Sequence, residues 1–241
     1  LEKLGGYVAI IPAASMVSHH ADCDYPFRQD SDFWYLTGFD EPEAIALFLP
    51  HRSIGERFVL FVLPKDATIE CWSGARYGTE GAVSQFGADI SHPLGDFPKL
   101  LDVYLKGANG VAFRIGKHPK IEPIVLKFLA EQLDKVQRNG SLPLSLIAPC
   151  PVLHQLRLYK EPSEIESMRE AARISAKAHQ LARNVACPGK TERSIQAVIE
   201  QCFLENGARG PAYGSIVAGG DNACILHYTM NNCPLRDGDL L

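Results

Sequence analysis

The chain has 241 residues, 46% of them hydrophobic and 22% charged, with a formal net charge of -4 at pH 7. That length suits one large domain or two modest ones. The acidic balance argues against a basic nucleic-acid-binding surface, and no apolar stretch approaches the ~18 residues of a membrane span. The seven cysteines (Cys23, Cys71, Cys150, Cys187, Cys202, Cys224, Cys233) are odd in number and nowhere spaced as C-x-x-C. Reduced thiols in a cytoplasmic protein fit that pattern better than a disulfide framework or a thiolate zinc site.

Taken in chain order, Val8 to Pro12 ("VAIIP") is a short apolar run suited to a buried strand. Ala44 to Leu49 and Phe58 to Leu63 are two more, joined by the turn-rich "PHRSIGER", which predicts a hairpin or adjacent strand pair. Short helices are expected over Thr79–Phe86 and Asp96–Leu105, each closed by a nearby glycine, then a strand over 110–116. Ile121 to Val136 reads as an amphipathic helix before Asn139-Gly140. Strands and helices in alternation imply an α/β (α+β) sheet layer, parallel or mixed.

"LPLSLIAPCP" (142–151) carries three prolines and is read as a linker, dividing the chain into residues 1–150 and 151–241. A long helix is expected from Tyr159, with Ser163 and Glu166 as a capping box and Met168, Ala172, Ser175, Ala178 and Ala182 as one stripe. Pro188-Gly189 ends it, and Thr191 caps a second helix running to about Glu205. "SIVAGG" and "CILHYT" then read as strand-like runs around the turn Gly219-Gly220-Asp221-Asn222.

Few residues announce chemistry. None of the eight histidines has HExxH spacing, and His19-His20 is unsuited to sharing one ion because neighbours on an extended chain point apart. No phosphate-binding glycine motif, nucleophile elbow or activated cysteine is evident. His227 differs by position: it follows a Gly-rich turn, and an imidazole there can hydrogen-bond a substrate or pass a proton. A core histidine with a satisfied hydrogen bond is the plainer alternative.

Three stretches carry more: "YPFRQDSDFWYLTGFDEPEA" (25–44), "LRLYKEPSEIESMREAARIS" (156–175) and "YGSIVAGGDNACILHYTMNNCPLRDGDLL" (213–241). Together they resemble aminopeptidase P, the Xaa-Pro aminopeptidases, in order and over nearly the whole chain. The resemblance implies a creatinase-like N-terminal domain with a mixed sheet over 1–150, then the first part of a pita-bread metallopeptidase domain over 151–241. It implies a homodimer or homotetramer acting on proline-containing peptides, without nucleic-acid or membrane partners. Two metal ions, usually manganese, would activate the attacking water.

The family's metal ligands, two Asp, one His and two Glu, follow a turn of the "RDGDLL" type, which here is Arg236–Leu241. No metal ligand is therefore carried over, and this stretch is expected to be inactive by itself; manganese-dependent cleavage of an Xaa-Pro peptide by it would refute that. His227 matches the family histidine beside the scissile bond, and Tyr213 a tyrosine near the metals. Trp72, in "ECWSGARYG", matches a tryptophan reaching a neighbouring subunit's active site, and Asp22 is placed near the same boundary. A non-catalytic peptide- or histone-binding pita-bread module, or a creatinase- or prolidase-type hydrolase, are the alternatives.

Overall fold

The computed structural model of the chain describes residues 1–139 and 145–241. The chain divides into two compact units, Leu1–Leu158 and Tyr159–Leu241.

The first unit is built on a six-stranded mixed sheet. In chain order its elements are β1 (Tyr7–Pro12), β2 (Ser18–His20), β3 (Cys23–Asp24), α1 (Ser31–Thr37), β4 (Ile45–Phe48), β5 (Phe58–Val62), α2 (Ala67–Ser73) and α3 (Gly78–Phe86). There follow β6 (Ile90–Pro93), α4 (Phe97–Leu105), β7 (Gly110–Ala112), α5 (Glu122–Asn139), β8 (Ser145–Ile147) and α6 (Cys150–Leu158). The sheet order is β6-β5-β4-β1-β7-β8, while β2 and β3 form a separate hairpin. β1 is antiparallel to β4 and parallel to β7; β4 and β5 form the expected antiparallel pair.

Helices cover both faces of this sheet, which is why its strands read as unbroken apolar runs instead of alternating ones. Val8, Ile10, Ile45, Leu47, Val59 and Phe61 pack on one face with Phe97, Leu101 and Leu105 of α4 and Val125 and Leu129 of α5. The opposite face carries Ala9, Ile11, Ala46, Leu60 and Ala112, with Phe33 of α1, Ala82 of α3 and Leu153 of α6. Alanines at three strand positions leave room for the bulk of Phe33 and Phe39, both fully buried.

Several expectations need correction here. The strand over 110–116 is only Gly110–Ala112. The Asn139-Gly140 turn and the start of the 142–151 linker lie outside the described residues, and the remainder of that segment is β8 and the start of α6. Pro151 does not interrupt α6 because it sits in its first turn, where a missing N–H costs nothing.

In the second unit, α7 (Pro162–Val185) and α8 (Glu192–Glu205) pack together. The N-terminus of α7 is set by Glu161 and Glu164, not by Ser163 and Glu166: the Glu161 N–H donates to Glu164 Oε2 at 2.7 Å. Pro162 fixes the first helical φ two residues earlier than the capping-box pattern suggested. Its buried stripe is Ile174, Ala178 and Ala182, and Met168 is exposed. Thr191 caps α8 as expected, its Oγ1 accepting from the Ser194 N–H at 3.2 Å.

Candidate functional site

The region from 213 to 241 is not the pair of strands that its apolar runs suggest. Gly220–Cys224 is a 3-10 helix, and His227 lies in a turn just beyond it. Short apolar runs do not by themselves distinguish strand from irregular backbone. What organises this segment is a set of buried polar side chains that take over the role of ladder hydrogen bonds.

Glu192, the first residue of α8, is fully buried. Its Oε1 accepts from the Gly219 N–H at 2.8 Å and from Asn222 Nδ2 at 3.0 Å. Its Oε2 accepts from the Tyr228 hydroxyl at 2.7 Å and the Cys233 N–H at 2.9 Å. Asn231 forms a second hub, accepting from the Val217 N–H and donating to Ser215 O and Gln196 Oε1. Segments 215–217 and 228–231 are thereby drawn side by side. Near the end of the chain the Gly220 N–H donates to Leu240 O at 2.8 Å, with Gly220 at φ +55, a conformation that glycine adopts at little cost.

Electrostatics follow from this arrangement. Burial alone would raise the Glu192 pKa, but hydrogen bonds from Gly219, Asn222, Tyr228 and Cys233 favour the anion and hold it down at about 2. The Tyr228 phenol moves the other way, chiefly because it donates to that carboxylate and also because it is desolvated. Glu192 is therefore a permanent buried anion with all four of its near partners supplied by one loop segment. Sequence reading missed it: at the start of a helix an acidic residue is read as a dipole partner, and its partners lie 27 to 41 residues away.

The residues singled out from the sequence fall in different places. His227 is exposed, immediately before the buried Tyr228. Tyr213 is also exposed, and its neighbour Gly214 lies close to Thr229, so the segments of Tyr213 and His227 adjoin. In the first unit, Trp72 stands 89% exposed on α2, and Asp22 occupies the turn of the exposed β2–β3 hairpin. His179 is exposed on α7.

The "FRQDSDFWYLTGF" stretch has a structural explanation that the sequence did not disclose. Gln29 is buried; its Oε1 accepts from the Ala14 and Asp30 N–H groups and its Nε2 donates to the Phe39 and Glu41 carbonyls. Asp30 caps α1, accepting from the Asp32 and Phe33 N–H groups at 3.0 Å, and pairs with Lys117. A cavity of about 410 Å³ adjoins these residues at the end of β1, with mostly apolar walls. Its charges cancel, since Lys117 pairs with Asp30 and Lys120 with Glu43, and burial lowers the pKa of His118, favouring the neutral ring.

Residues 1–112 match the family model described as aminopeptidase P, N-terminal domain, and residues 166–241 match metallopeptidase family M24. The Xaa-Pro aminopeptidase of Escherichia coli (strain K12) is 39% identical over 236 residues, 98% of this chain and 54% of that protein. The solved structure of Pseudomonas aeruginosa aminopeptidase PepP has a TM-score of 0.91 at 40% identity, covering 97% of this chain and 53% of that one. Zn-substituted E. coli aminopeptidase P in complex with product gives the same TM-score of 0.91 at 38% identity, again covering 97% and 53%. The chain spans about half the length of these relatives.

Proposed function

Because this chain belongs to the aminopeptidase P family of M24 metallopeptidases, we propose that it forms part of a metal-dependent exopeptidase that releases the N-terminal residue from peptides with proline second. One observation carries the reading. The N-terminal-domain and M24 matches follow one another along a single chain whose fold is that of solved aminopeptidase P structures. We assign residues 1–150 to the N-terminal domain and 151–241 to the metallopeptidase domain.

An M24 metallopeptidase implies a divalent metal ion. Among the described residues no three His, Cys, Asp or Glu side chains converge on a point that could hold one. The described residues do not by themselves fit a metal centre. For the whole protein we infer a pair of manganese ions, because the carboxylate-rich ligand set that the resemblance implies suits that ion better than thiolates would. Metal analysis of the purified whole protein tests this, and a single zinc ion per chain would refute it.

The chain's own residues are assigned to holding the substrate. A prolyl nitrogen carries no hydrogen, so recognition of an Xaa-Pro bond must use its carbonyl and the fixed shape of the ring. His227, exposed on its turn, can donate from one ring nitrogen to such a carbonyl. Tyr213, on the adjoining segment, is assigned to the same pocket. Tryptophan is highly buried on average, so the 89% exposure of Trp72 fits a surface that another protein covers. We infer that Trp72 and Asp22 face a neighbouring subunit of a homodimer or homotetramer. Seven free cysteines support a cytoplasmic location.

The test is cleavage of an Xaa-Pro tripeptide by the whole protein and its His227→Ala variant, followed by mass spectrometry. The expected result is loss of activity with a chelator and a fall in kcat/KM of about 10²–10⁴-fold in the variant. Equal activity of the two proteins would remove His227 from the site. Hydrolysis of creatine or dipeptides instead of the tripeptide would move the protein to a creatinase- or prolidase-type activity.

A further inference from the structure

The donors gathered by Glu192 lie on both sides of His227 in the chain: Gly219 and Asn222 before it, Tyr228 and Cys233 after it. Between them the backbone is turn and 3-10 helix, held locally by Ile225 N–H to Asn222 O at 3.0 Å and Tyr228 N–H to Ile225 O at 3.3 Å. Among the described residues no sheet ladder supports this stretch; an isolated bridge in this region joins Thr191 to Pro234. Such backbone takes its position from whatever its ends are fastened to. Here both ends are fastened to one carboxylate, which is itself fixed because Glu192 is the first residue of a capped helix.

We propose that Glu192 is a positioning residue for His227: by holding donors on both flanks of that histidine, one buried carboxylate fixes where the imidazole stands. The anion is essential to this role. Only a carboxylate presents two acceptor oxygens with no hydrogen of its own, and each oxygen here serves two donors. An amide of the same shape would aim its NH2 at one of those donor pairs. The link to catalysis rests on the peptidase reading of His227, whereas the clamp itself does not.

The experiment measures amide hydrogen exchange and His227 ring resonances by NMR in the 241-residue chain, comparing it with Glu192→Gln. The bonded amides of Gly219, Ile225, Tyr228 and Cys233 are expected to exchange about 10–100-fold faster in the variant, as lost bonds to a charged group imply. Amides of α7 and the interior of α8 stay within twofold, the His227 ring lines shift, and the Tyr228 phenol ionises at lower pH. Unchanged exchange in the loop would overturn the proposal. So would equal acceleration throughout α7 and α8, which would make Glu192 a general stabiliser of the unit.

Should Glu192→Gln fail to fold, Tyr228→Phe removes a single donor and is read the same way. Faster exchange at Ile225 and Tyr228's position with shifted His227 lines supports the clamp, and no change overturns it. In the whole protein, Glu192→Gln is expected to lower kcat for Xaa-Pro cleavage at least tenfold. If exchange behaves as expected while kcat is unaltered, the clamp stands and the catalytic reading of His227 fails.

Discussion

Asn231 accepts a hydrogen bond from the Val217 N–H at 3.0 Å, so a side-chain amide fills the place that a neighbouring strand would normally take. The same side chain donates to Ser215 O at 2.7 Å and to Gln196 Oε1 at 2.9 Å, and the residue is 1% exposed with φ +47. Asparagine suits the left-handed region better than most residues, and here it satisfies one buried and two half-buried groups at once.

Replacing Asn231 with glycine separates these two roles. Glycine tolerates the positive φ, so any loss comes from the missing side chain. We expect the second unit to lose about 2–4 kcal/mol in urea unfolding, from buried and half-buried groups left unpaired. A variant with an unaltered midpoint would mean that the hydrogen bonds contribute little.

Gln29 in the first unit is a parallel case. Gln29→Ala leaves the Ala14 and Asp30 N–H groups and the Phe39 and Glu41 carbonyls without this partner. A loss of about 2–4 kcal/mol is expected. Fluorescence of Trp34, on α1 close by in sequence, would report the unfolding. Gln29→Glu should also destabilise, because a carboxylate offers no donor to the two carbonyls.

Asp30 gives a pH dependence whose sign is fixed by its surroundings. Burial pushes its carboxyl pKa up, but the Lys117 ammonium and the N–H groups of Phe33 and Asp32 outweigh that and hold it below 3.8. A carboxylate with a depressed folded pKa stabilises above its unfolded value, and that contribution is lost as pH falls through the folded value. The first unit should therefore weaken steadily below about pH 4. Asp30→Asn should flatten that part of the curve while lowering stability at pH 7.

Glu192 predicts the same sign with a wider window in the second unit. Its contribution is complete above the ordinary value of 4.5 and fades only as pH drops toward about 2. Circular dichroism of the helices during acid titration would follow it. A Glu192→Gln variant whose acid profile matches the parent would show that this carboxylate does not control acid unfolding.

Much of the first unit could be read directly from residue order. "VAIIP", "AIALFL" and "FVLFVL" became β1, β4 and β5 because strands buried on both faces need no alternation. β6 and β8 escaped notice because they are short edge strands, one ending in Pro93. α1 was hidden by its aromatic run, Phe33-Trp34-Tyr35, which locally favours extended backbone, although Asp30 was in place to cap it.

The candidate site was legible only as a family pattern. His227 could be named from its neighbours in sequence, but its supports could not. Glu192, Asn231 and Gln29 act through partners far along the chain, and no local periodicity marks such residues. The strand reading of "CILHYT" failed because the Ile225 and Tyr228 N–H groups bond locally, to Asn222 O and Ile225 O, while the Tyr228 hydroxyl reaches the distant Glu192 carboxylate.

A glycine in β7 makes a sharper prediction about the sheet. A Cβ added to Gly110 would fall on the Ser145 carbonyl oxygen and 2.5 Å from Tyr7 Cε1, so both parallel neighbours of β7 are in the way. Backbone cannot yield as a flexible side chain can. Gly110→Ala should cost about 3 kcal/mol or more, and a fully stable variant would argue that β7 is placed differently.

β1, which precedes the other strands of its sheet along the chain, sits inside that sheet between β4 and β7. A nascent chain can close the β1–β4–β5 side once residue 62 has emerged, but Tyr7, Val8 and Ala9 must wait for Gly110, Val111 and Ala112. Until then one side of β1 presents unpaired backbone flanked by apolar side chains, an invitation to pair with other unfinished chains. Ribosome-stalled chains released from the exit tunnel before β7 should bind chaperones, and those released after it should not. The position of one short strand thus sets a waiting time in biosynthesis.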